Sequence, residues 1–237
     1  MNPIIKKVLE EKRRSLLEPE AKRLCSEWKI PVPNSGISET ATSAVALAKE
    51  IGYPVVLKIV SKDILHKTEV SGVLTNLGTP TDVRKGFDTV IRNVKSRKPE
   101  SRIEGVLIEK MMPNTLEVIV GGLRDVQFGP AVMFGLGGIF AEIFRDVAFA
   151  LAPVTQTEAL RIMDRIKSRC LLDGYRGSPA VDRNALADAI VGVAKMMVGI
   201  PEISELDLNP VLAYESGACA VDARIMLSAE KGHNGFN

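Results

Sequence analysis

The stretch Glu205-Leu206-Asp207-Leu208-Asn209-Pro210, followed by Tyr214-Glu215-Ser216-Gly217 and Ala220-Val221-Asp222-Ala223-Arg224-Ile225, decides how this chain is read. Each arm alternates polar and apolar residues, the pattern of a strand buried on one face, and the Glu-Ser-Gly link between them is a hairpin turn. With Tyr214 set opposite Gly217, the register places Asn209 opposite Asp222 and Asp207 opposite Arg224. Residues directly opposed across a hairpin share a face. Leu206, Leu208, Val221, Ala223 and Ile225 then form the other, core-facing side, and two carboxylates, an amide and a guanidinium converge on one patch. Oxygen donors of this kind suit a hard cation such as Mg²⁺, which takes one or two protein carboxylates and completes its shell with water and substrate phosphate. The same spacing also describes a solvated face whose Asp and Arg pair at the surface for at most about 1 kcal/mol. A bulge at Gly217 would shift the register by one and scatter the cluster.

Composition bounds the rest. A chain of 237 residues, 46% hydrophobic and 25% charged, suffices for one large domain or two small lobes sharing a core. No apolar run reaches the roughly 18 residues of a membrane span, and residues 1–20 are laced with Lys, Arg and Glu rather than carrying a signal-peptide core, so the expected location is the cytoplasm. Cys25, Cys170 and Cys219 are odd in number, far apart and without a CxxC, which argues against a disulfide framework or a zinc site and for buried fillers. A net charge of +2 does not point to nucleic acid.

Along the chain, Glu18-Pro19-Glu20 starts a helix with proline in its first turn, and Ile30-Pro31-Val32-Pro33 ends that charged region. Thr40 caps a helix with Ala44, Leu47, Ala48 and Ile51 as its apolar stripe, and Gly52-Tyr53-Pro54 stops it ahead of an apolar strand over residues 55–60. Lys58 interrupts that strand. A buried ammonium needs an anion, either a structural carboxylate or a ligand phosphate. The polar loop 62–72 carries His66, one of two histidines, while His233 lies in a Gly- and Asn-rich tail expected to be disordered. A strand over 73–77, a helix capped by Thr81 and Asp82 and running to about Ser96, and a strand over 103–109 follow. Residues 110–115 read as a link between lobes. Strands at 116–121, carrying Glu117, at 129–134 and at about 139–151 are interrupted by Gly135-Leu136-Gly137-Gly138, whose glycines let backbone amides approach an anion or simply make a tight turn. Helices at about 156–169 and 183–198 precede the hairpin. Internal repeats, a GxSxG nucleophile and a GxxxxGK[ST] loop are all absent from the sequence.

Residues 44–58, ending in Ile51-Gly52-Tyr53-Pro54-Val55-Val56-Leu57-Lys58, together with segment 63–73, the glycine loop 134–139 and the hairpin 206–224, resemble the ATP-grasp subunit of ADP-forming acyl-CoA synthetases, a family related to succinyl-CoA synthetase. The resemblance covers nearly the whole chain. It implies an α/β, two-lobed ATP-grasp fold with a nucleotide cleft between the lobes: a helical arm at 1–25, a first lobe at 26–110 with the His66 loop, a second lobe at 111–230, and the tail at 231–237. It further implies ATP or ADP with Mg²⁺ as cofactors. Lys58 would contact nucleotide phosphate, Glu109 with the backbone of Lys110 and Met111 would hold the adenine, and Glu117 would line the same cleft. Asn209 and Asp222 would be the metal ligands, and Gly137 and Gly138 would lie against the transferred phosphate. Asp207 would belong to the nucleotide site and Arg224 to the catalytic one, and His66 would carry phosphate transiently. A separate CoA-binding alpha subunit would supply the acyl chemistry and a second phosphohistidine, in an assembly of two of each. Within the resemblance, Thr68-Glu69-Val70-Ser71 departs from the family's usual Ser, Asp or Thr, Val and Gly, and Ser71 in place of glycine stiffens a loop expected to move. Two other readings use the same residues: another ATP-grasp carboxylate ligase, which has no need of His66, and a nucleotide-binding regulatory module of the kind fused to protein acyltransferases.

Overall fold

The computed structural model describes residues 1–64, 66–138 and 146–228. In chain order its elements are α1 (Pro3–Glu10), α2 (Glu18–Glu27), β1 (Ser35–Ser38), α3 (Ala41–Ile51), β2 (Val55–Ser61), β3 (Val73–Leu77), α4 (Pro80–Arg97), β4 (Ile103–Lys110), β5 (Leu116–Asp125), β6 (Gly129–Leu136), β7 (Val147–Leu151), α5 (Gln156–Asp164), a 3₁₀ turn at Arg169–Leu171, α6 (Arg183–Gly199), β8 (Ile203–Ala213), β9 (Ala218–Ala220) and β10 (Arg224–Leu227). None of the described helices is long and apolar enough to cross a membrane.

Local side-chain chemistry sets the helix starts. Thr40 Oγ1 accepts from Ser43 N–H at 3.1 Å and opens α3 as the sequence suggests. The start of α4 differs from expectation: the cap is Thr79, whose Oγ1 accepts from Asp82 N–H at 3.1 Å, and Pro80 takes the first helical position, where its missing N–H costs nothing. Thr155 and Glu158 cap α5 reciprocally, with Thr155 N–H donating to Glu158 Oε2 at 2.7 Å and Glu158 N–H to Thr155 Oγ1 at 3.3 Å. That helix ends at Asp164, short of the expected 169.

The chain divides into two compact units, Pro33–Pro113 and Met1–Val32 with Asn114–Asn237. The first is an antiparallel sheet in the order β1-β4-β2-β3, with α3 and α4 on one face. Val55, Leu57 and Ile59 of β2 and Val106 and Ile108 of β4 pack there with Ala44, Ala48, Val83, Val90 and Val94, each Val, Leu or Ile side chain worth roughly 1.5–3 kcal/mol when fully buried. Period-two alternation then puts Val56, Lys58 and Val60 on the opposite face, and these are buried as well. In the second unit the antiparallel order is β10-β8-β5-β6-β7, with β9 also on β8. The helices of the expected arm at 1–25 belong to this unit. Ile5, Val8, Leu16, Ala21, Leu24 and Cys25 sit in one core with Val120, Leu206, Leu208, Val193 and Ile225. An amphipathic helix pair joins whichever core its apolar face can enter, and sequence adjacency does not decide that. Burial pushes the Cys25 thiol up to about 12, and Cys219 is buried too, but Cys170, expected as a filler, is exposed. The tail 231–237 and the expected strand residues 139–145 lie outside the described residues.

Between β2 and β3 the His66 loop is anchored at both ends, by Ile64 (8% exposed) and Val70 (5%). Its return is tight. Gly72 O accepts from Ile59 N–H at 2.8 Å, and a β-carbon at Gly72 would lie 2.6 Å from Ile59 Cγ2 and 3.1 Å from Lys67 O. Ser71 holds φ +50, a left-handed conformation that costs an L-residue about 1–2 kcal/mol. Two adjacent substitutions therefore have opposite expected outcomes in denaturant unfolding. Gly72→Ala should destabilise by about 1–3 kcal/mol through overpacking against Ile59. Ser71→Gly should leave stability unchanged or raise it by less than about 1 kcal/mol, because relief of strain offsets added freedom in the unfolded chain.

Candidate functional site

β8 supports the acidic patch from the middle of its sheet, paired with β5 on one side and with β9 and then β10 on the other. Arg224 stands opposite Asp207, Val211 opposite Ala220, and Tyr214 N–H donates to Gly217 O at 3.1 Å. These pairings belong to one continuous register, the one expected from the sequence, and no bulge at Gly217 displaces it. Asn209 and Asp222 fall between the two ladders, where β9 has ended and β10 has not begun, while Val221 N–H still donates to Pro210 O at 3.1 Å. Both arms carry one extra residue at this point. Positions that enter the main core run Leu206, Leu208, then Val211 and Ala213 on one arm, and Ala218, Ala220, then Ala223 and Ile225 on the other. The alternation slips equally on both arms, so the register survives while Val221, expected in the core, is left half-exposed. Irregularities of this kind re-aim side chains without ending the pairing.

A feature missed in the sequence holds the turn. Asp182, the N-cap of α6, accepts from Ala185 N–H at 3.0 Å and from Gly217 N–H at 3.0 Å, and its own N–H donates to Tyr214 O at 2.7 Å. Those donated N–H groups hold its carboxyl below the ordinary carboxylate range. The helix start and the hairpin turn thus share one carboxylate. An Asp just before a helical pattern is a legible cap, but nothing in sequence spacing says that its second oxygen reaches residue 217.

Asp207 is electrostatically distinct. Burial raises its pKa, the neighbouring carboxylates of Glu205 and Asp222 push the same way, and Arg224 opposes them. The Asp222 carboxylate is oriented by its Oδ1 accepting from Ala223 N–H at 2.9 Å. The oxygens of Asn209, Asp207 and Asp222 make a hard donor set that fits Mg²⁺ and not a soft metal. Among the described residues no group of three His, Cys, Asp or Glu side chains is arranged to hold a metal ion.

The glycine loop meets Glu117 within the same unit. Gly137 N–H donates to Glu117 O at 2.7 Å, and a β-carbon at Gly137 would come within 3.0 Å of Glu117 Cβ. At Gly138, with φ +62, the β-carbon position lies 3.5 Å from Glu117 Oε2. Close approach is the reason for glycine at 137, since any side chain would displace β5.

The remaining candidates lie in the 33–113 unit. Lys58 Nζ is 3.1 Å from Glu109 Oε1, with the side chains 10% and 2% exposed, so the anion that the sequence demanded for Lys58 includes a structural carboxylate. Val56 faces Glu109 and Lys58 faces Leu107 across β2 and β4, which makes Lys58 and Glu109 diagonal neighbours. Lys110 N–H donates to Asn34 O at 2.9 Å and Met111 N–H to Pro54 O at 3.1 Å. The Lys110 ammonium reaches Gly52 O at 3.0 Å and Tyr53 O at 2.8 Å, beside the end of α3. His66 is exposed. The far side of its loop is tied to α4, where Arg97 Nη1 donates to Glu69 O at 2.7 Å and Asn93 Nδ2 to Ser71 O at 3.1 Å.

Residues 7–227 match the ATP-grasp domain family. The beta subunit of ADP-forming acetate–CoA ligase I from Pyrococcus furiosus is 48% identical over 224 residues, 94% of this chain and 96% of that one. Acetyl-coenzyme A synthetase 1 of Ca. Korarchaeum cryptofilum, solved with coenzyme A, Ca-AMPCP and HgCl⁺, superposes with a TM-score of 0.94 at 46% identity, covering 95% of this chain and 98% of that one. A second structure of that enzyme, with coenzyme A, acetyl-coenzyme A and a phosphorylated phosphohistidine segment, gives a TM-score of 0.90 at 45% identity, covering 95% and 98%. A match across nearly the whole chain, at identities near one half, places this protein in the ATP-grasp family, among the beta subunits of ADP-forming acetate–CoA ligases.

Proposed function

We propose that this chain is the nucleotide-binding subunit of an ADP-forming acyl-CoA ligase, interconverting acyl-CoA, ADP and phosphate with acid, CoA and ATP in the company of a CoA-binding subunit. The observation that supports this reading over other ATP-grasp chemistries is His66, exposed on a loop whose ends are anchored by Ile64 and Val70. A ligase that passes phosphate directly from ATP to its carboxylate substrate needs no such residue.

In the ATP-forming direction an imidazole nitrogen of His66 attacks the phosphorus carried by the partner subunit's own histidine, and the N–P bond to that donor breaks. A terminal oxygen of ADP then attacks the phosphorus on His66. The second N–P bond breaks and ATP leaves. Asn209 and Asp222 would hold Mg²⁺, which when bound neutralises phosphate charge during the transfer. Lys58 contributes positive charge and Glu109 fixes its position. Gly137 and Gly138 bring backbone close to Glu117 without side-chain bulk.

His66→Ala should leave folding and Mg-ADP binding intact while lowering ATP formation from acyl-CoA, ADP and phosphate by about 10³-fold or more, the scale on which a lost nucleophile is felt. Near-normal turnover in that variant, or phosphohistidine found only on the partner after rapid quenching, would sink the relay. Asp222→Ala should weaken Mg-ADP binding by ~10–100-fold in calorimetry; an unchanged affinity would remove Asp222 from the metal site.

Asp207 sets a pH dependence. Its pKa is raised above the ordinary 3.8, so between those two values the folded chain binds more protons than the unfolded one, and stability falls as pH rises through the window. Above the raised value the penalty is complete. Asp207→Asn should therefore raise the melting temperature at pH 7, and the gain should disappear below about pH 3.8. A gain that persisted in acid would mean that packing, not charge, was responsible.

A further inference from the structure

Residues 221–223 form the only part of the hairpin arm outside β9 and β10, and they include the proposed metal ligand Asp222. The N-terminal segment brackets them. Ala220 N–H donates to Pro31 O at 2.8 Å, Leu16 N–H to Ile225 O at 3.0 Å and Leu227 N–H to Arg14 O at 2.8 Å. Between these points α2 inserts a charge. Lys22, with its side chain 3% exposed, donates from Nζ to Val221 O at 2.8 Å and lies 2.8 Å from Glu18 Oε1, whose side chain is 2% exposed.

A buried ion pair on a helix that already packs Ala21, Leu24 and Cys25 into the core is poorly explained by stability, since apolar residues of similar size commonly do as well or better. What an apolar pair cannot do is hold a carbonyl. The peptide joining Val221 to Asp222 is planar, so fixing the Val221 carbonyl fixes the plane that enters Asp222 from its N-terminal side. On the other side Ala223 N–H holds the Asp222 carboxylate at 2.9 Å.

The geometry points to Lys22, kept in place by Glu18, as a positioning residue that presents Asp222 for metal–nucleotide binding, so that the N-terminal helices serve the metal site from behind. The inference rests on the reading of Asp222 as a metal ligand. Glu18 and Lys22 touch neither metal nor nucleotide in it.

The test uses the full chain with its partner subunit and three variants: Lys22→Met, Lys22→Arg, and the apolar pair Glu18→Leu with Lys22→Met. Mn²⁺ binding in the presence of ADP is followed by electron paramagnetic resonance, melting is recorded separately, and amide exchange at residues 221–223 is measured without metal or nucleotide. Lys22→Met and the apolar pair should weaken Mn²⁺ binding at least fivefold and speed exchange at 221–223, Lys22→Arg should recover part of the affinity, and Lys22→Met should add nothing to the loss in an Asp222→Asn background. The apolar pair keeps the test decisive if Lys22→Met alone does not fold. Wild-type Mn²⁺ affinity and wild-type exchange in a folded apolar pair would overturn the inference, as would a loss of melting temperature with no change in affinity. Failure of the metal reading is recognised separately, by unchanged Mn²⁺ affinity in Asp222→Asn itself.

Discussion

The constraint on which the hairpin site depends is a single antiparallel register, kept from the Tyr214–Gly217 turn through Val211–Ala220 to Asp207–Arg224. A slip of one residue would exchange faces, sending the carboxylates into the core and Leu206 and Leu208 into solvent. The register is guarded at both ends. Asp182 holds the turn to the start of α6, and backbone bonds from Leu16 and Arg14 hold the far end. The interruption at 209–210 and 221–222 is tolerated because both arms deviate together. A one-sided bulge would have scattered the cluster; a two-sided one opens the ladder at Asn209 and Asp222 and leaves the Asp207–Arg224 and Leu206–Ile225 pairs beyond it in step.

Buried charge is the second theme, and each instance has a distinct consequence. Lys58 and Glu109 are within 3.1 Å of each other on neighbouring strands of one rigid sheet, which gives an ammonium a fixed position at low exposure. Asp207 is the opposite case, a carboxylate whose environment works against its ionisation. Burial and the carboxylates of Glu205 and Asp222 disfavour the charged form of Asp207, so its ionisation lowers stability locally.

Much of this was legible in the sequence, and the reasons are specific. Alternation in the hairpin arms gave the register because both arms are half-buried and the turn is short. Thr40 and Gly52 bounded α3 because caps are local chemistry. The losses are equally physical. β1 has four residues, too few for alternation to register. Thr79 was passed over for Thr81 because both precede the apolar pattern, and only the geometry of Pro80 separates them. Val221 was assigned to the core because a compensated irregularity leaves no mark on spacing. In the helical arm, Glu18 and Lys22 stand at the four-residue spacing of a helical ion pair, which the sequence does display. Their burial, and the carbonyl they reach 199 residues away, are properties of the tertiary structure alone.

The same contrast alters the reading of Ser71. From sequence, serine in place of glycine stiffens the His66 loop, which suggests impeded motion. The structure places Ser71 at φ +50, so the stiffness is a strain of about 1–2 kcal/mol carried by the anchored conformation itself. Against it stand two hydrogen bonds to α4, each worth about 0.5–1.5 kcal/mol net, and the burial of Val70, worth roughly 1.5–3 kcal/mol. Ordering the loop's backbone costs about 1–2 kcal/mol per residue and offsets much of that gain. Under the proposed relay, an anchored state held too deeply would keep the phosphate carrier in place, and one held too weakly would leave His66 without a defined position from which to receive it. By raising the energy of the anchored state, Ser71 moves the equilibrium toward release wherever the released loop permits a negative φ. Under the proposed relay, a residue that narrows the loop's conformational freedom thereby lowers the cost of leaving its anchor.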